Sequence, residues 1–134
     1  MYDQNLDEDI RSLRQLVIYG LKGISAYGHQ ARELGYYSDT VDDFYIQGLA
    51  AVTDDQLTVE ELIRMTMRTG ETAVEVIKTL DEANTCIYGN PTPHKVNVQR
   101  RKGPFIIVSG HDLKDLEMLL KQTKGTGVNV YTHG

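Results

Sequence analysis

The sequence predicts an α+β chain in two segments: an antiparallel helical bundle followed by the first β-α-β unit of a Rossmann-like α/β domain. Three observations predict it. Up to about residue 83, apolar residues recur three and four apart, the period of amphipathic helices. Residues 84–104 then lose that period and gather prolines, glycines and asparagines. From residue 105 onward a β-rich run, a leucine-spaced helix and a second β-rich run follow one another. The expected organisation is a helical bundle over 1–84, a linker over 85–103 and the start of an α/β domain, truncated, over 104–134.

The first helix is expected over 7–35. Ile10, Leu13, Val17, Leu21, Ile24, Ala31 and Leu34 form its stripe, Asp7, Glu8 and Asp9 suit the positive end of the helix dipole, and Gly35 is a stop. The interior glycines Gly20, Gly23 and Gly28 each weaken a helix by roughly 1 kcal/mol relative to alanine. With Ala26 they make a strip of small residues that suits close approach of a neighbouring helix. Ser38 or Asp39 can cap a second helix over about 40–52, with Val41, Phe44, Tyr45, Gly48, Leu49 and Val52 inward. The third begins at Thr58, where Thr58 and Glu61 spell a capping box. Its stripe of Val59, Leu62, Ile63, Thr66, Ala73, Ile77 and Leu80 runs to about residue 83, with Gly70 interrupting it. Short polar links between three such helices favour antiparallel packing.

Beyond the linker, Phe105-Ile106-Ile107-Val108 reads as a strand ended by Ser109-Gly110. Leu113, Leu116, Leu119 and Leu120 share one face of a short helix, and Val128–Tyr131 reads as a second strand. The connection is long enough for a helical crossover between parallel strands. Parallel sheets are normally covered on both faces and have more than two strands. The expectation is that this polypeptide is a piece of a larger protein, or that another chain completes the sheet. Phe105, Ile107 and Val130 are expected to lack cover, leaving residues 104–134 marginally stable.

Composition narrows the function classes. The formal net charge of −5 argues against broad electrostatic capture of nucleic acid. A single cysteine, Cys86, excludes a disulfide framework and any cluster or zinc site held by several cysteines of this chain alone. Cys86 is expected to be an isolated buried thiol. No run of 18 apolar residues occurs, and the acidic N-terminus lacks the features of a secretory signal, so a cytoplasmic location is the default.

Ligands of open α/β sheets bind beyond the carboxyl ends of the strands. His111 follows the first strand and His133 falls at the end of the second. An imidazole there can bind a metal or shuttle a proton; equally, His111 can cap the helix or bond within a turn. Gly125-Thr126-Gly127 precedes a strand, the wrong order for a dinucleotide fingerprint. His29 is expected within a helix and His94 within the linker. The basic stretch Gln99–Lys102 suits a solvated linker better than an anion site.

Three stretches are more specific. They are Ile87-Tyr88-Gly89-Asn90-Pro91 with Pro93, Lys95 and Val96; Arg101 through Asp112-Leu113 with Asp115 and Leu116; and Gly125 through Tyr131-Thr132-His133-Gly134. Together they resemble the hybrid cluster proteins, also called prismane proteins or hydroxylamine reductases. Leu16–Gly23 and His29 with Ala31–Gly35 resemble the helical domain of the same family, so the likeness covers nearly the whole chain. It implies a cytoplasmic iron–sulfur oxidoreductase that reduces hydroxylamine to ammonia and water. Such proteins carry a cubane iron–sulfur cluster and a hybrid iron–sulfur–oxygen cluster, the latter held by one histidine, two glutamates and several cysteines. The histidine of the Gly-His-Asp-Leu motif falls on His111, which makes His111 the expected metal and cofactor ligand, with Asp112 or a backbone carbonyl orienting its ring.

The resemblance places the family's N-terminal cysteine motif upstream of Met1 and the next glutamate ligand directly after Gly134. Cys86 matches no cluster-ligand motif. The implied reading is an interior piece of the enzyme, inactive and without a cluster by itself. Its partners in the parent protein would be hydroxylamine and an electron donor, with no nucleic acid or membrane, and homo-oligomers through the incomplete sheet are a further expectation. Two other readings stand beside it: a non-catalytic binding or assembly module of the same fold, and a carbon monoxide dehydrogenase-related protein.

Overall fold

A computed structural model describes residues 6–110 and 112–133. The chain is a mixed α+β protein with the order α1 (Glu8–Glu33), α2 (Asp39–Ala51), α3 (Val59–Tyr88), β1 (Phe105–Ser109), α4 (Leu113–Thr123) and β2 (Asn129–His133). It divides into two compact units, Met1–Ala83 and Asn84–Gly134.

In the first unit α1 and α3 start where a side chain satisfies free amides. Asp7 caps α1 by accepting from the amides of Asp9 and Ile10. The capping box of α3 is formed in full: Thr58 N–H and Oγ1 donate to Glu61 Oε2 at 2.8 and 2.9 Å, and Glu61 N–H donates to Thr58 Oγ1 at 3.3 Å. The same bonds, led by the backbone one from Thr58, hold the Glu61 carboxyl below its ordinary range. Ser38 stands at the N-cap of α2, but its hydroxyl makes no capping bond there. It donates instead to Glu75 of α3, as does Thr40. Both hydroxyls, Ser38 first, lower the Glu75 pKa.

Pairs of contacts give the helix directions. A Cβ on Gly48 of α2 would meet Leu21 of α1, and Arg32 pairs with Asp42, so α1 and α2 run in opposite senses. Arg68 of α3 bonds Gln47 at 3.2 Å while Glu75 reaches Ser38, so α2 and α3 are also opposed. Gly20 faces Thr69 and Gly28 faces Val76, so α1 and α3 run in the same sense. The core between them is Val17, Leu21, Ile24, Val41, Phe44, Val52 and Val76. Each such side chain, fully buried, stabilises the fold by about 1.5–3 kcal/mol before entropy is charged against it.

Several expectations change. The buried face of α3 is Leu62, Thr69, Thr72, Val76 and Ala83, whereas Ile63 and Ile77 are exposed. Helix α3 also continues to Tyr88, through the start of the stretch expected as linker, and passes Gly70 without a break. A weak apolar period does not end a helix that is already propagating; it stops at Gly89, with φ +84°. Of the small-residue strip, Gly20 and Gly28 face α3 but Gly23 has nothing within 4 Å of its Cβ position. Leu49 faces solvent.

The second unit holds two strands joined through α4. β1 and β2 are parallel, pairing Phe105 with Asn129 and running in register to Ser109 with His133. Pro104 carbonyl accepts from Asn129 N–H at 2.9 Å, and Asn129 Nδ2 donates to Lys102 carbonyl at 3.2 Å, fixing the entry to the sheet. None of the described residues in this unit is fully buried.

Candidate functional site at the carboxyl edge of the strands

The register brings the carboxyl ends of both strands to one edge. Ser109 lies opposite His133 there. Directly after Ser109 the chain turns through Gly110 at φ +137°, a conformation that a side chain at this position would strain. Asp112 then caps α4: its Oδ1 accepts from Lys114 N–H at 2.9 Å and Asp115 N–H at 3.1 Å. A strand, an obligatory glycine and a capped helix thus frame position 111 on both sides. His111 itself lies outside the described residues, as does Gly134. The Oδ1 of Asp112, expected as a partner for the His111 ring, is already engaged in capping.

His133 is exposed at the end of β2. The other singled-out residues lie elsewhere. His29 is exposed on α1, and His94 shares a 2.9 Å hydrogen bond with Thr92 in the loop after α3. Cys86 is exposed near the end of α3, not buried, because the helix extends beyond the core that would have covered it. Gly125 and Gly127 form the left-handed turns that separate α4 from β2. The basic stretch runs along the entry to β1, where Arg101 N–H donates to Tyr131 OH at 2.8 Å. The Tyr131 ring meets Phe105 edge-on, with centroids 6.0 Å apart.

Among the described residues, no three or more His, Cys, Asp or Glu side chains gather as a metal site. Those residues therefore do not fit an iron–sulfur cluster by themselves. Among them, too, no helix is long and apolar enough to cross a membrane.

One charged cluster was not foreseen. Glu117 of α4 accepts from Tyr88 OH at 3.0 Å and pairs with Lys114 at 3.4 Å and with Lys121. Lys121 first, then Tyr88, pull its carboxyl pKa down to about 2. Burial, followed by the bond to Glu117, pushes the Tyr88 phenol up. The lysines stand three residues before and four after Glu117, the spacing of helix side-chain pairs, so that half was legible; the Tyr88 contact spans 29 residues and was not.

The whole chain, residues 1–134, matches the family described as Prismane/CO dehydrogenase. The chain belongs to that family. Among its relatives, a protein named hydroxylamine reductase from Desulfitobacterium hafniense is 54% identical over 96% of this chain. Proteins of the same name from Caldanaerobacter subterraneus and Methanosarcina mazei are 55% and 52% identical over the same share. The chain spans only about 23% of the length of these curated relatives, 23%, 23% and 24% in turn.

Proposed function

We propose that this stretch is part of an iron–sulfur oxidoreductase that reduces hydroxylamine to ammonia and water, and that alone it is inactive. The observation that carries the reading is the identity of 52–55% to proteins named hydroxylamine reductase, sustained over 96% of the chain. In this reading α1–α3 belong to a helical-bundle domain over 1–84, residues 85–103 link it onward, and β1-α4-β2 opens a Rossmann-like α/β domain. The protein is cytoplasmic and holds a cubane cluster and a hybrid iron–sulfur–oxygen cluster.

His111 is the residue of this chain that we assign to the hybrid cluster as a ligand. Its support is positional: it follows Gly110 at the carboxyl edge of a parallel pair, where α/β sheets bind ligands. The remaining ligands come from other parts of the longer protein. Reduction of hydroxylamine breaks its N–O bond with two electrons and two protons, and the cluster, when bound, supplies the redox chemistry. This chain's own part is to fix the residues on either side of His111, through the Gly110 conformation and the Asp112 cap.

The test is His111→Ala in a protein of the relatives' length, reconstituted anaerobically. We expect loss of the hybrid-cluster spectrum and more than about 100-fold loss of hydroxylamine turnover, since even partners outside the ligand set are worth about 10–100-fold. Retention of both would remove the His111 assignment. A stoichiometric cluster with turnover in the 134-residue chain alone would overturn the reading of it as an inactive part.

A further inference from the structure

One recess of the first unit reverses the charge of its surroundings. Residues 1–83 hold sixteen Asp and Glu against seven Lys and Arg. Three of those seven cations, Arg11, Arg14 and Lys22, line a concavity of about 830 Å³ between α1 and the end of α2, and Asp55 is the one carboxylate among the described residues that line it. Positions 11, 14, 18 and 22 fall on one face of a helix, so Ile18 stands between the cations. Arg14 is fixed in place. Its Nη1 and Nη2 each donate to Asp55 Oδ1 at 3.1 Å, and Nη2 also donates to the Asp54 carbonyl at 2.7 Å, which ties the loop after α2 to α1. The side chain is 12% exposed, and its buried Nε–H has no hydrogen-bond partner among the described residues. A buried charge is costly unless it is fully paired, and Asp55, with a side chain 75% exposed, shares its own charge with water. Arg11 and Lys22 have no ion pair among the described residues. At helix spacing Lys22 has Ile18, Tyr19, Ser25 and Ala26 as neighbours, none of them acidic. Its amine stands 5.4 Å from the centroid of the Tyr19 ring, which leans it back along α1 toward Arg14.

We propose that this recess binds a phosphorylated organic anion, a small molecule with two or more phosphate charges and an apolar body. Three like charges gathered in one recess repel, and a ligand of opposite charge turns that cost into affinity. Phosphate suits the set better than a lone carboxylate. It carries about two charges, and its oxygens accept from guanidinium and ammonium alike. The apolar lining, Ile18, Val52 and the Tyr19 ring, favours a ligand with carbon surface over a bare ion. Size agrees, because small-molecule sites span about 300–1,000 Å³. Arg11 and Lys22 stand about 16 Å apart along the helix axis, which suits an elongated molecule with its charges spread out. The loop wall is set in advance by the Arg14 clamp and by Gln56 N–H, which donates to Asp54 Oδ1 at 2.9 Å, so binding orders little. The proposal goes beyond hydroxylamine reduction and does not depend on it.

Calorimetry with magnesium-free ATP and with coenzyme A tests it, on the 134-residue chain and on a protein of the relatives' length, together with amide NMR of the shorter chain. At least one of the two probes should bind both proteins and move the amides of residues 11–22 and 52–55, leaving those of β1 and β2 in place. Arg11→Gln with Lys22→Gln should weaken binding by at least about tenfold, since both lose charge-assisted bonds. Neither residue has a partner whose loss would unfold the unit, whereas Arg14 clamps the loop and is left intact. Arg100→Gln, in the second unit, should change nothing. Inorganic tripolyphosphate and adenosine should each bind more weakly than ATP. Binding of neither probe, amide shifts elsewhere, an affinity unmoved by the double substitution, or tripolyphosphate as tight as ATP would overturn the proposal. So would binding by the short chain and not by the longer protein, which would assign the recess to another segment of the polypeptide. No readout involves turnover, so a failure of the catalytic reading stays separate from a failure of this one.

Discussion

At the scale of single residues, the first unit turns on where glycine is required and where it is merely present. A Cβ on Gly20 would stand 2.3 Å from Thr69 Cγ2. Thr69 is buried, and its hydroxyl is tied to Met65 carbonyl at 2.8 Å, so its methyl has little freedom to retreat. Gly23, three residues on, has open space at the same place. Gly20→Ala should therefore lower stability by about 1–3 kcal/mol through overpacking, offset in part by better helix propensity. Gly23→Ala should raise it by up to about 1 kcal/mol. Urea unfolding of both variants checks the contrast; a loss at both positions would mean that the whole strip is packed. The sequence showed three glycines on one helix without saying which of them meets another helix. That depends on the rotation of α3, and α3 buries two threonines where its larger apolar neighbours Ile63 and Ile77 stay outside.

At the scale of elements, what was legible is what short-range chemistry decides. The Thr58–Glu61 box, the acidic start of α1 and the alternation of strand, helix and strand all lie within a few residues of one another. The exposure of Cys86 and the Tyr88–Glu117 contact depend on the tertiary arrangement that no local pattern encodes, whereas the end of α3 falls at a local signal, Gly89, that the fading apolar period masked. The expected site shares that division: Gly110 and the Asp112 cap follow from local turn and cap chemistry, whereas the pairing of Ser109 with His133 needs the sheet. Glu117 ties α4 to the last residue of α3 and to its own lysines. Its folded pKa of about 2 lies below the ordinary value of 4.5. A depressed carboxyl contributes stability above the unfolded pKa and loses it as pH falls through the folded one. The contribution is thus present at neutral pH and drains away between about pH 4.5 and 2. Carbon-detected NMR of the Glu117 carboxyl should show a midpoint near 2, rising in Lys121→Met and, by less, in Tyr88→Phe. A midpoint unmoved by Lys121→Met would assign the depression to other groups.

At the scale of the whole chain, the two units have different claims to stability. The first encloses Leu21, Ile24, Leu62, Val17 and Val76, each less than 2% exposed or nearly so. The second has two strands, one helix and no fully buried described residue, and a two-stranded sheet is marginal in water without more cover. Local opening free energy follows buried contact, so the units should not exchange amide protons together. In the isolated chain, amides of Val17, Leu21 and Val76 should exchange slowest. Those of Ile106–Val108 and Val130–Thr132 should exchange at least about tenfold faster, because strand hydrogen bonds without a covering layer open locally. In a protein of the relatives' length the strand amides should slow toward the core values, since burying both faces of a parallel sheet is what stabilises it. Uniform protection in the isolated chain would show that α4 and the Arg101–Tyr131 bond suffice to hold the sheet, and would remove the need for further cover.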